Sequence, residues 1–278
     1  MTERPLIRAP LRARVGEWFE MAPVLAGQAV LWAGPPLLGL ALFLGLWQWG
    51  HLTYGAFILP SPMQTLRAAF GVLTSVEGWV ILGATILRVM IALTLSAVLG
   101  GGLGLLAGYG WFLRAMLAPV ATILLGIPAT AWVILTMIWF GPSHGAILFT
   151  MAIVTGPILY IGTVDAVLTR DRRLEDMAAS FGAGRFERFR RVALRQILAT
   201  LAPVLGITLA LGFKVAIMAE LVSNVAGIGA ALAKSRAHMD IDMALAYVAL
   251  AVMGLLAVEH GIIRPMQRRA GQWRRIGS

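Results

Sequence analysis

Residues 171–195, DRRLEDMAASFGAGRFERFRRVALR, form the one long polar interval of an otherwise apolar chain. With Arg170 it holds eight arginines. Asp171 stands where a carboxylate accepts the free N–H groups of a first helical turn, which predicts a helix over Leu174–Phe181. Gly182-Ala183-Gly184 then breaks that helix, since glycine supplies the left-handed residue on which many helices end. Arg185–Arg195 resumes with Phe186, Phe189 and Val192 at helical spacing. The interval therefore predicts a helix–glycine–helix hairpin with an apolar stripe and a basic face. Such a hairpin suits either a docking element or a solvated loop that only fixes topology.

The sequence on either side has the composition of a membrane protein. The chain has 278 residues, 59% of them hydrophobic and 13% charged, and a mean hydropathy of +0.82. Six apolar stretches are long enough to cross a bilayer: about 29–49, 81–109, 117–140, 146–168, 197–222 and 241–263. The expected fold class is thus an all-α membrane protein of six transmembrane helices. The stretch from Val24 to Trp49 is too long for a signal peptide's apolar core and reads as a retained span. The formal charge is +10 and the pI near 11.3, yet only two lysines contribute. The arginines cluster at the ends of apolar spans, which points to topology and anionic lipid rather than to nucleic acid. The N-terminal tail, Arg114, the 170–195 loop and the C-terminal tail carry most of them, against Arg67, Lys234 and Arg236 on the other side. Both termini and the hairpin are therefore expected in the cytoplasm, in a multi-pass plasma-membrane protein. The division that follows is a tail over 1–28, a membrane domain over 29–263 containing the 170–195 loop, and a basic tail over 264–278.

Between the first two spans, Leu59-Pro-Ser-Pro62 predicts a short interfacial helix from Met63 to about Val72, capped by Ser61. Leu66, Ala69, Phe70 and Leu73 are expected to face the membrane surface. Gly100, Gly104 and Gly108 leave one helix face bare, which permits close packing in lipid. Pro119, Pro128 and Gly156-Pro157 mark possible breaks, tolerated where neighbouring helices satisfy the freed carbonyls.

Chemistry of bond-making is not legible. No cysteine is present, and no histidine pair or His–carboxylate pair has metal-ligand spacing. Ala233-Lys234-Ser235 lacks the glycines that a phosphate-cradling loop needs at 228 and 233. No Gly-x-Ser-x-Gly elbow occurs. The intramembrane charges say more. Lys214 lies deep in the fifth span, where a lysine costs about 2.5–3.5 kcal/mol and must face protein or water. It reads either as a pathway residue, with Gly206 and Ala210 giving it room, or as a snorkelling lysine paired with a carboxylate. Glu220 lies six residues on, about 120° around the helix and about 9 Å further along it. Asp165 and Glu259 are expected to pair with nearby arginines.

Asp176-Met177-Ala178, then Gly182, then Val192-Ala193-Leu194 resembles the EAA loop of ABC importer permeases. It departs from that pattern at Asp176, Met177 and Arg195, where glutamate, alanine and proline are usual. Across most of the chain, Leu59-Pro-Ser-Pro62, Arg88-Val89, Ile127-Pro128 with Ala131-Trp132, Ile138-Trp-Phe-Gly141, Ala219-Glu220 and Gly227-Ile-Gly229 follow in an order similar to permeases of the nitrate/sulfonate/taurine group. Ile134 and Lys214 depart from that group, which usually has proline and an aromatic residue there. The resemblance implies a type I importer permease whose hairpin is the coupling helix, with Asp176, Ala178, Gly182, Val192 and Leu194 engaging a separate ATPase. It also implies Lys214, Glu220 and Trp132 along the substrate path, with Glu220 as gate or fold support. The implied partners are a second copy of the chain, two ATPase subunits holding ATP and Mg, an external binding protein and membrane lipid. No cofactor is expected in this chain, and no catalysis. The implied solute is a small anion: a sulfonate, a nitrate-like ion or an organic carboxylate. A neutral heterocycle such as a pyrimidine cofactor precursor is the alternative within the family. An ion-coupled secondary transporter, expected to show inverted repeats, and a membrane enzyme are the alternatives outside it.

Overall fold

The computed structural model describes residues 34–265 and 267. Helix packs on helix throughout, with no strand among the described residues. The chain divides into a leading unit ending at Pro62 and a larger unit beginning at Met63.

In the leading unit α1 is helical from residue 34 to 54, past the expected end at Trp49. Residues 1–28 and the expected start of this span lie outside the described residues. Gly55, at φ +80°, ends the helix in the left-handed region that glycine occupies without penalty. The chain then folds back, so that the Trp47 indole N–H donates to the Pro60 carbonyl at 2.9 Å.

All of α2, Pro62–Thr74, except its first residue belongs to the larger unit, and that proline, at the first helical turn, loses no bond. Leu66 and Phe70 are exposed as expected. Ala69 is instead buried with Val72 against Leu82, Ile228 and Leu250, and Leu73 is partly covered. The helix therefore lies on the protein rather than along its surface alone. Then come α3, Val76–Ser96, a π-helical turn, Ala97–Gly101, and α4, Gly102–Tyr109, one 34-residue apolar run. Ser75 caps its start by accepting the Gly78 N–H at 3.0 Å.

Next, α5 (Trp111–Gly126) and α6 (Ala129–Phe140) meet at 94°. The expected single span over 117–140 is thus two helices. Pro128 sits at the corner, where its ring and missing N–H prevent one helix from continuing. Pro157, by contrast, leaves α7 (His144–Leu168) continuous, as does Pro203 in α10.

The central helix is α7, which packs against α3, α4, α5, α6 and α10. Its parallel neighbour α4 comes to backbone contact. A β-carbon on Gly104 would meet the Tyr160 carbonyl at 2.5 Å, one on Gly108 would meet Val167 at 2.6 Å, and one on Gly100 would strike the Gly156 carbonyl. The bare glycine face does what its spacing predicts. In lipid, where apolar burial gives helices little reason to associate, such close contact and hydroxyl bridges supply the attraction. Two hydroxyl bridges reach α7 from other neighbours: Ser96 of α3 to Thr155 at 2.7 Å and Thr136 of α6 to Thr150 at 2.6 Å.

The chain continues through α8 (Arg172–Ser180), α9 (Arg185–Arg188), a second π-helical turn (Phe189–Ala193) and α10 (Leu194–Ser223). After α10 come α11 (Ile228–Ala237), α12 (Ile241–Val258) and a third π-helical turn (Glu259–Ile263). Among the described residues, four helices are long and apolar enough to cross a membrane, or five if the bent α5–α6 pair is one span. Phe213, Leu209, Ile147 and Met151 fill the core between α7 and α10.

The topology is open to a direct test, because the chain has no cysteine. A cysteine at Ser180 is expected to react with an impermeant thiol reagent from the cytoplasmic side alone, and one at Ser143 from outside alone. Reaction of both from one side would refute the six-span arrangement expected from the sequence.

Candidate functional site

The polar hairpin is built from local signals. The Asp171 carboxylate accepts the Arg173 N–H at 2.9 Å, capping α8. At the other end Gly182 has φ +85°. Its N–H bonds the Ala179 carbonyl at 2.9 Å, and Ala183 N–H bonds the Ala178 carbonyl at 3.0 Å. This is the paired closure that a left-handed residue after a helix permits. The second arm differs from expectation. Instead of a separate helix over Arg185–Arg195, it runs on through the π-helical turn into α10, a continuous 39-residue stretch Arg185–Ser223.

The hairpin brings Ala178 and Val192 together on one cavity of about 440 Å³ between its arms, which Met177, Arg195 and Gln196 also line. Asp176 and Gly182 are exposed, and Leu194 is partly buried. Not one residue of α8 is buried, and Leu174, Met177, Phe181 and Phe186 all show apolar surface beside the arginines. Of the two carboxylates near span ends, Glu259 pairs with Arg264 at 3.4 Å. Asp165 makes no ion pair among the described residues.

At the opposite end of the spans, Glu220 is fully buried, with 0% exposure. A lone carboxylate there would be very costly, so its partners matter. Arg88 from α3 forms an ion pair with it. Thr85 donates to its carboxylate at 2.8 Å, and the Gly229 N–H does so at 3.0 Å. Thr85 in turn accepts the Ile228 N–H at 2.9 Å. The other guanidinium nitrogens of Arg88 donate to the Ala226 carbonyl and, at 3.2 Å, to His144 Nδ1. One arginine thus ties α3 to α10, to the loop before α11 and to the start of α7. The backbone comes so close that a β-carbon on Gly227 would collide with the Glu220 carboxylate.

Sequence reasoning noted both charges but not their pairing, since 132 residues separate them. The available signal was two opposite charges within apolar spans, each needing a partner.

Lys214 and Trp132 do not join this network. Lys214 is exposed on α10, on a stripe with Ile207, Met218 and Val222, and makes no hydrogen bond or ion pair among the described residues. The room expected beside Gly206 is taken by Gln267 and Ile263. Trp132 is 6% exposed in the core, edge-on to Trp139 at 6.5 Å, and its indole N–H has no partner among the described residues. Among the described residues no cluster of His, Asp and Glu is arranged to hold a metal.

Residues 100–259 match the family model described as binding-protein-dependent transport system inner membrane component. The chain belongs to this family. Among curated relatives, this permease is 32% identical to the riboflavin transport system permease protein RibX of Chloroflexus aurantiacus, over 80% of this chain and 85% of that one. It is 26% identical to the taurine transport system permease protein TauC of Escherichia coli, over 84% and 87%. In three dimensions it is similar to a chain of the MetNI methionine ABC transporter solved in inward-facing conformations. That match has a TM-score of 0.53 at 17% identity, covering 67% of this chain and 94% of that one, and it supports the fold.

The ion pair gives a stability prediction. Removing one member of a buried pair typically costs about 3–5 kcal/mol, because it strands the other charge. Arg88→Met is therefore expected to lower the permease's unfolding temperature in detergent markedly. Adding Glu220→Gln, which removes the stranded charge, should recover part of the loss. An Arg88→Met melting curve equal to that of the parent would show that the pair contributes nothing.

Proposed function

We propose that this permease and a second copy of itself form the membrane path of an ATP-driven importer for a small anionic solute. Two separate ATPase chains, which bind ATP and Mg, and an external binding protein complete the assembly. The chain itself makes and breaks no covalent bond. In this reading it has six spans in the bacterial inner membrane, with residues 1–28 and 264–278 cytoplasmic. The observation that carries the reading is the family match across residues 100–259.

Two features support the division of labour. The hairpin offers an ATPase an exposed apolar-and-basic surface, with Asp176, Ala178, Gly182, Val192 and Leu194 as its coupling residues. The second feature is Lys214, a cation in an apolar span with an uncovered side chain. Facing its twin across a two-fold axis, it would repel unless water or an anion lay between. An anionic solute supplies that charge, and the sulfonate group of taurine, named for one relative, is of this kind. Trp132 and Glu220 flank the path, Glu220 through the helices it braces.

Similarity to a riboflavin permease favours a second reading, in which the solute is a largely uncharged heterocycle. The two readings separate at Lys214. With an anionic solute, Lys214→Met is expected to leave assembly and basal ATPase intact and to depress uptake at least tenfold in proteoliposomes carrying the ATPase and binding protein. Lys214→Arg should be much milder. For an uncharged heterocycle Lys214→Met should leave uptake unchanged, and that outcome would end the anion reading.

Coupling is tested separately. A β-branched residue is strained at φ +85°, so Gly182→Val opens the end of α8 while leaving the spans alone. Insertion is expected to be normal and solute-stimulated ATP turnover to fall severalfold. Unchanged turnover and uptake would mean that the hairpin is not the coupling element.

A further inference from the structure

The exposed helix α8 is tied to α7 and α4 through Arg170, and to α10 through Gln196. The Arg170 guanidinium donates from Nε to Glu175 of α8 at 2.7 Å and from a terminal nitrogen to the Val167 carbonyl of α7 at 2.5 Å. Its carbon lies 4.5 Å from the centre of the Tyr109 ring, at the last residue of α4. Tyr109 in turn meets Phe189, on the second arm, edge-on at 6.3 Å. Alongside, the Gln196 side chain accepts the Asp171 N–H at 2.8 Å and donates to the Asp171 carbonyl at 3.2 Å. The side chains of Arg170 and Glu175 are 8% and 20% exposed, so the pair is shielded from the screening that weakens surface pairs.

Covalently, the hairpin reaches only α7 and α10. Its link to α4 is the stack of Arg170 on Tyr109, backed by Phe189. That link leads outward, because α4 and α3 belong to one 34-residue run, Val76–Tyr109. At a rise of about 1.5 Å per residue, Arg88 lies about 32 Å from Tyr109 along it. Arg88 and Thr85 hold Glu220 and the chain entering α11. Between the two ends, the run meets α7 through Gly100, Gly104 and Gly108. A face without protruding side chains lets packed helices slide by small amounts, the shear mode of domain motion.

We propose that Arg170 and Tyr109 are positioning residues that carry displacement of α8 to α3–α4, and so to α11 at the outer surface. The proposal rests on the hairpin's being the ATPase-facing element. It adds a second route, through a cation–ring contact, to the covalent ones. It also assigns a role to two residues outside the loop pattern that signals coupling.

The test uses the whole importer, assembled with its ATPase and binding protein in proteoliposomes, with a single cysteine at the exposed Ala237 of α11. The rate of labelling by an impermeant thiol reagent is compared with and without ATP plus vanadate. In the parent, nucleotide is expected to change this rate severalfold. Tyr109→Leu removes the ring and is expected to shrink that change by roughly threefold or more, a size typical of mutations along coupled networks, with the ATPase still bound. Arg170→Lys keeps the charge but not the fork, and should behave alike; Tyr109→Phe keeps the ring and should restore the parent response. An undiminished response in Tyr109→Leu overturns the proposal. Loss of the ATPase from Tyr109→Leu overturns it too, because the contact would then only hold the hairpin together. A parent with no nucleotide response would sink the importer reading itself, and the proposal with it.

Discussion

A carboxylate with no exposed surface, set among apolar spans, has to be neutralised where it stands. Glu220 meets that demand with a guanidinium, a hydroxyl and a backbone N–H. The donors come from two distant parts of the chain: Arg88 and Thr85 from α3, and Gly229 from the first turn of α11. Satisfying one charge therefore fixes the relation of α3, α10 and α11, and through His144 the start of α7. The short α11 has little apolar surface to bury, with four alanines, a lysine, a serine and an arginine in ten residues. It owes its position to this polar junction as well as to the packing of Ile228, Ala231 and Leu232.

What the sequence made legible follows from how local each cause is. Asp171 caps α8 and Gly182 closes it because both act within one turn. The glycine face of α4 was equally readable, since a four-residue spacing places small residues on one side whatever the partner. Span positions came from length and hydropathy, and the ends of α3–α4, α7 and α12 lie close to those expected. The failures are non-local or stereochemical. Proline marks three candidate breaks, but the amount of bend depends on neighbours. Pro128 turns the chain at 94°, whereas Pro119 and Pro157 sit inside continuous helices. The second arm of the hairpin carries enough helix-forming arginine, alanine and leucine to run unbroken into α10, and no local stop signal exists to prevent it.

The site residues divide in the same way. Asp176, Ala178, Gly182, Val192 and Leu194 were read as one set because a single loop motif holds them, and of these Ala178 and Val192 line one cavity. The pairing of Glu220 with Arg88 could not be read, since nothing near either residue specifies the other. Lys214 stands apart again. Its cost in lipid was evident, but the uncovered side of α10 on which it lies only becomes visible once the helices around it are in place.

The π-helical turn at Ala97–Gly101 settles a problem of angular phase. Ser96, Gly100, Gly104 and Gly108 recur every four residues, and a four-residue step on an ordinary helix overshoots a full circle by about 40°. Three such steps would wind the seam well off any straight neighbour. The wider turn inserted between Ser96 and Gly100 rotates it back, so the same helix is met all the way down: Thr155, Gly156, Tyr160 and Val167 in turn. The extra residue thus works as a vernier. It lets the outer half of the run orient Thr85 and Arg88 for one task, while the inner half stays indexed to α7 for another.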